Sequence, residues 1–94
     1  MRIDEVKQAV LAAETYLKSL QGILNNRIEN LAIEEVEKSE DNQFWLITLS
    51  FERHPKSGSI LPGIHEFERE YKLFKINSLT KEVESMKVRV LRNQ

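Results

Sequence analysis

The sequence predicts an α+β fold: one N-terminal helix packed on a four-stranded antiparallel meander sheet. Three observations carry that expectation. Apolar residues recur at three- and four-residue steps from Ile3 to Leu24, the spacing of a helix with one buried stripe. The segment FWLITLSFER, from Phe44 to Arg53, alternates two faces with period two, as a strand does. The stretch EFEREYKLFKINSLTKEVESMKVRVL, from Glu66 to Leu91, reads as two further strands joined by a short polar turn.

In the helix, Ile3, Val6, Val10, Ala13, Leu17, Leu20 and Leu24 form the stripe, with Ala9 and Tyr16 on its shoulder. Leu11 falls off the stripe and is expected to be exposed. Asp4 fits an N-cap, and Glu5 beside it suits the positive end of the helix dipole. Gly22 fits the C-terminal stop, although Leu24 is still in phase and the helix could run on to Asn25; Asn25-Asn26 ends the pattern in either case. LAIEEVEKS, from Leu31 to Ser39, has Ile33 and Val36 in opposite strand phases, which predicts a bulged edge strand blunted by its glutamates. Glu40-Asp41-Asn42-Gln43 is the turn into the second strand. There Trp45, Ile47, Leu49 and Phe51 must face the helix, while Phe44, Leu46, Thr48 and Ser50 face away. His54 to Ile64 reads as a loop, broken by Pro55, Gly58, Pro62 and Gly63.

The closing hairpin is the clearest local signal. Tyr71, Leu73, Phe74 and Ile76 are interrupted by Lys72 and Lys75; Met86, Val88 and Val90 alternate with Lys87 and Arg89. Between the arms lie Asn77-Ser78-Leu79-Thr80-Lys81-Glu82, whose polar side chains bond their own backbone and favour a turn. Leu79 is expected to fold back over the sheet end. The core is predicted as Val10, Leu17, Trp45, Ile47, Leu49, Phe51, Phe74, Ile76, Met86 and Val88.

YKLFKINSLTKEVESMKV resembles the closing hairpin of PepSY-type domains: a tyrosine-rich strand, an Asp, a Thr-Gly-Glu-Val turn and a last strand. Asn77 stands at the Asp position; Thr80, Glu82 and Val83 match; Lys81 replaces the glycine, a residue that permits positive φ where lysine resists it. The matching motif spans under a quarter of the chain, and the order of helix and strands extends the likeness. The resemblance implies a PepSY-like or cystatin-like roll and a binding role, inhibitory or accessory to another protein, with no catalytic residues.

Ninety-four residues with 40% hydrophobic and 31% charged content predict one globular domain over residues 1–94. The net charge of −1 gives no overall drive toward nucleic acid or membranes. Its distribution is uneven: residues 1–41 hold five Lys/Arg against nine Asp/Glu, and residues 42–94 nine against six. An acidic front and a basic back can complement each other within one fold or between copies. The absence of cysteine excludes disulfides and thiolate metal sites. No membrane span or leader-like segment is evident, which predicts a cytoplasmic protein.

No constellation commits the chain to a reaction, so it is expected not to be an enzyme and to carry no cofactor or metal. His54 and His65, with Glu52 and Glu66, bracket the loop, but two surface histidines at strand ends explain them better than a metal site. Lys56-Ser57-Gly58 lacks the order of a phosphate loop. Serines 57 and 59 are turn formers before they are nucleophiles. Glu66, Glu68 and Glu70 read as a solvated face with surface partners such as Arg53. Tyr71, Lys75, Lys87 and Arg89 give the hairpin a basic patch, making nucleic-acid or anionic-ligand binding the alternative to a protein partner. Nucleic acid remains the less favoured of the two, because glutamates interleave the same strand.

The expected interface is the sheet face away from the helix, built from Phe44, Leu46, Tyr71, Leu73 and Leu91 and rimmed by Lys75 and Arg89. An apolar face left open on a small domain marks a contact surface. A symmetric homodimer is its commonest form; Ile60, Leu61 and Ile64 folding back over it is the intramolecular alternative.

Overall fold

The computed structural model describes residues 2–24, 26–55 and 68–89. Helix α1 spans Ile3–Ser19 and a single turn, α2, spans Gln21–Leu24. Four strands follow: β1 Asn26–Lys38, β2 Phe44–Pro55, β3 Glu68–Asn77 and β4 Val83–Val88. They form one antiparallel sheet in the order β1-β2-β3-β4, the predicted meander with the helix on one face.

The helix stripe and the odd-numbered residues of β2 meet as their periodicities require. Ala9, Val10, Ala13 and Leu17 pack on Trp45, Ile47, Leu49 and Phe51 of β2 and on Phe74 and Ile76 of β3; all ten are buried. The two alanines let the helix backbone approach the sheet, and each larger side chain contributes about 1.5–3 kcal/mol by leaving water. Val88 corrects the predicted core: it is 70% exposed. Its register opposite Lys72 puts it on the helix side, but on the outermost strand, where one helix no longer covers the sheet. Met86, opposite Phe74, is half-buried against the rim of the core.

Both helix ends differ from expectation. The N-cap is Arg2, which makes no side-chain capping bond, so Asp4 lies in the first turn instead. There Asp4 and Glu5 still offset the dipole, and both lie within 4.0 Å of the Arg2 guanidinium. At the other end α1 closes at Leu20, in right-handed helical conformation, with its N–H donating to the Leu17 carbonyl at 3.1 Å. The Ser19 hydroxyl satisfies the Tyr16 carbonyl at 2.6 Å. No left-handed residue is needed, and Gly22 sits inside α2, which carries a helical turn on to Leu24, next to the alternative end at Asn25.

β1 begins at Asn26, five residues before the predicted start, and is bulged twice. One extra residue falls between Glu29 and Ala32, where Asn30 adopts φ 55°; another falls between Ile33 and Glu35. The second bulge reconciles the opposite phases of Ile33 and Val36, which pair with Leu49 and Ile47 on the helix side. β2 runs to Pro55, so the predicted loop starts later than His54.

The turns follow side-chain chemistry. Between β1 and β2, the Asp41 carboxylate accepts from the Ser39 hydroxyl at 2.6 Å and the Gln43 N–H at 3.0 Å. These two donors, the hydroxyl first, hold its carboxyl below the usual carboxylate range. Between β3 and β4, Asn77 Oδ1 accepts from the N–H groups of Leu79 and Thr80, each at 2.9 Å, which explains an amide or carboxylate at that position. Lys81 then takes φ 64°, a conformation that glycine adopts freely and lysine resists. The tip so fixed holds Leu79 outward, 90% exposed, rather than folded over the sheet end.

Candidate interaction surface

The strand registers place Phe44 and Leu46 of β2 beside Tyr71, Leu73 and Lys75 of β3, all on the face away from α1. Arg89 follows β4, its N–H bonded to the Tyr71 carbonyl at 2.9 Å. The predicted grouping is therefore formed, but not as an open apolar patch: each of its described members is half-buried. The side chains of His54 and Glu68, and Lys56, Ser57, Ser59, Ile60, Leu61, Ile64, His65, Glu66, Val90 and Leu91, lie outside the described residues.

Two arginines tie this face together. Arg89 reaches from the end of β4 across β3, donating to Thr48 Oγ1 on β2 at 2.7 Å and pairing with Glu35 on β1. Arg69 on β3 donates from Nε to Ser50 Oγ at 3.0 Å and from Nη2 to the Asn30 carbonyl at 2.6 Å, with Glu52 Oε2 3.6 Å from its Nη1. Ser50 in turn donates to Glu34 Oε2 at 2.5 Å. Thr48 and Ser50, on the supposedly open face, are 1% and 0% exposed. The left-handed conformation of Asn30 is what turns its carbonyl within reach of Arg69.

The basic residues of the hairpin are partly spoken for. Arg89 is neutralised by Glu35, and Lys75 Nζ lies 4.2 Å from the centre of the Phe44 ring. The acidic front and basic back thus meet across the sheet within one chain. At the far end of β2, Arg53 pairs with Glu70 at 2.7 Å, the surface partnership expected of that strand.

A second surface lies on the helix side, and sequence reasoning missed it. α1 sits over β2 and β3, so a groove of about 790 Å³ runs between the helix and the start of β4, lined by Leu11, Ala12, Thr15, Tyr16, Lys81 and Val83. Leu11 is 61% exposed, as its place off the stripe predicts, and Tyr16 stands edge-on to Phe74, ring centres 6.4 Å apart. Val88 adds exposed apolar area farther along β4. The signal was present in Leu11; what the sequence lacked was the lateral position of the helix on the sheet.

A smaller hollow of about 300 Å³ is lined by Arg2, Glu5, Lys38, Asn42 and Trp45. Lys38 Nζ lies 4.5 Å from the Trp45 ring centre, while the buried indole N–H has no hydrogen-bond partner among the described residues. Having no accessible surface, that N–H cannot meet a ligand in the hollow. Among the described residues no helix is long and apolar enough to cross a membrane. Comparison with protein-family models, with curated proteins and with solved structures finds no match.

Proposed function

We propose that the chain is a small, non-enzymatic, cytoplasmic protein–protein interaction module, inhibitory or accessory to its partner. The observation that carries this reading is the groove between α1 and β4, with Leu11 and Tyr16 presenting apolar surface to solvent beside a well-packed core. The PepSY-like hairpin supports the same role. The polar groups gathered on the opposite face are arginine–carboxylate and hydroxyl pairs that satisfy one another, a structural use rather than a reactive one. Engagement of Arg89 by Glu35 also leaves the nucleic-acid alternative with a smaller free basic patch.

Site-specific photo-crosslinking in cells tests the reading. A photoreactive residue in place of Leu11 or Tyr16 is expected to give discrete protein adducts, and the same residue at Leu46 or Leu73 few or none. Adducts confined to Leu46 and Leu73 would return the interface to the opposite face. Absence of protein adducts at all four positions would refute both the groove and the opposite sheet face as partner surfaces.

A further inference from the structure

We propose that β4 is a self-complementary edge at which two copies of this chain join, antiparallel and two-fold symmetric, with Met86 on the axis. This rests on the interaction-module reading and names a second copy as the occupant. β4 is the last strand of the sheet, so among the described residues one side of its backbone lacks a neighbouring strand. Arg89 bonds inward to Tyr71, and by alternation Lys87 does the same toward β3, so Met86 and Val88 turn their N–H and C=O groups outward. An outward-facing residue on the axis can exchange both backbone bonds with its own copy.

The side chains of VESMKV match in that arrangement. β4 carries one residue more than β3 between Val83 and Ser85, namely Glu84. In a pairing centred on Met86, that extra residue sets Val83 opposite Val88 of the second copy and the Glu84–Ser85 pair opposite its Lys87. The helix side then reads valine, methionine, valine against valine, methionine, valine, covering the exposed Val88. Two Glu84–Lys87 pairs form and no like charges oppose. Within the chain neither Glu84 nor Lys87 makes an ion pair among the described residues, so both are available.

The other edge argues the contrast. β1 is bulged twice and carries Glu29, Glu34, Glu35 and Glu37, so a symmetric pairing there sets carboxylates against carboxylates. A closed two-fold join at β4 leaves those blunted β1 edges outermost and puts both helices on one face of an eight-stranded sheet.

Sedimentation velocity of the purified chain tests this, at concentrations up to roughly 500 µM because so short an edge holds a weak complex. The expected result is a reversible monomer–dimer equilibrium. Lys87→Glu or Glu84→Lys alone should raise the dissociation constant roughly tenfold by replacing two attractions with two repulsions, and the double exchange should return it to within about threefold of the original. Circular dichroism of each variant confirms folding, since both residues are exposed. A chain that stays monomeric overturns the proposal. So does a dimer indifferent to both single exchanges, or one the double exchange does not restore. A monomer that still crosslinks to other proteins through Leu11 overturns the second copy alone and leaves the interaction module standing.

Discussion

Replacing Arg89 by methionine keeps most of the side-chain length but removes the guanidinium that bridges Thr48 and Glu35. The Glu35 side chain is half exposed, so its pairing contributes at most about 1 kcal/mol. The larger effect comes from Thr48. Its hydroxyl is 1% exposed and Arg89 is its partner at 2.7 Å, so the substitution strands a buried polar group at a cost of about 1–3 kcal/mol. Thr48→Val removes the hydroxyl itself and leaves Arg89 still held by Glu35, which should cost no more than about 1 kcal/mol. In the Thr48→Val background, Arg89→Met then loses only the exposed pair. A double-mutant cycle by urea denaturation should therefore show a coupling of about 1–3 kcal/mol, the cost of stranding the hydroxyl. If the two losses simply add, to within about 0.3 kcal/mol, the guanidinium does not satisfy Thr48 and the account of this face is wrong.

Three further outcomes are expected. Leu49→Ala, at a fully buried site in the centre of the sheet, should destabilise by about 2–5 kcal/mol in the same assay; a loss under about 0.5 kcal/mol contradicts its packing under the helix. Lys81→Gly should stabilise by about 0.5–1 kcal/mol by relieving the positive φ; a loss of stability refutes this and assigns the larger role to the Lys81 Nζ bond with the Ser78 carbonyl. The Asp41 carboxyl, followed by NMR, should titrate below the usual range, and Ser39→Ala should move it upward. Because its folded value is the depressed one, its contribution to stability is complete above the unfolded value and is lost as pH falls through the folded value. Titration at or above the ordinary range removes the Ser39 bond from the account.

The parts of the fold visible in the sequence were those set by local period and local chemistry. The Val10–Ala13–Leu17 stripe, the alternation of Trp45, Ile47, Leu49 and Phe51, the bulge implied by Ile33 and Val36, and the Asn77 turn all depend on neighbours within a few residues. The features that were not legible depend on lateral placement. Val88 has a core residue's pattern but an edge strand's position. Arg89 and Glu35 are 54 residues apart, so no window of sequence shows that one neutralises the other. The same holds for Arg69 reaching the Asn30 carbonyl, which also required a bulge in a stretch, Asn26 to Asn30, too polar to read as strand. The described residues of the candidate surface share the face away from α1, as their strand phases imply, but they are half-buried rather than open, because polar side chains from β1, β2, β3 and the end of β4 cross that face. The α1–β4 groove was hidden for the converse reason: a helix stripe shows which side is down, not which strand lies beneath it.

Trp45 is the sole tryptophan, and it sits buried in β2 with its ring beneath the Lys38 ammonium. An indole so shielded from water has little solvent dipole available to relax around its excited state. The protein therefore carries a built-in optical reporter whose emission should lie toward the blue when folded and shift red on exposure. Its single origin means that any change in that emission reports on one place, the junction of α1, β1 and β2. Lys38 makes the reporter charge-sensitive as well, so replacing that lysine with methionine should change the emission without changing the fold.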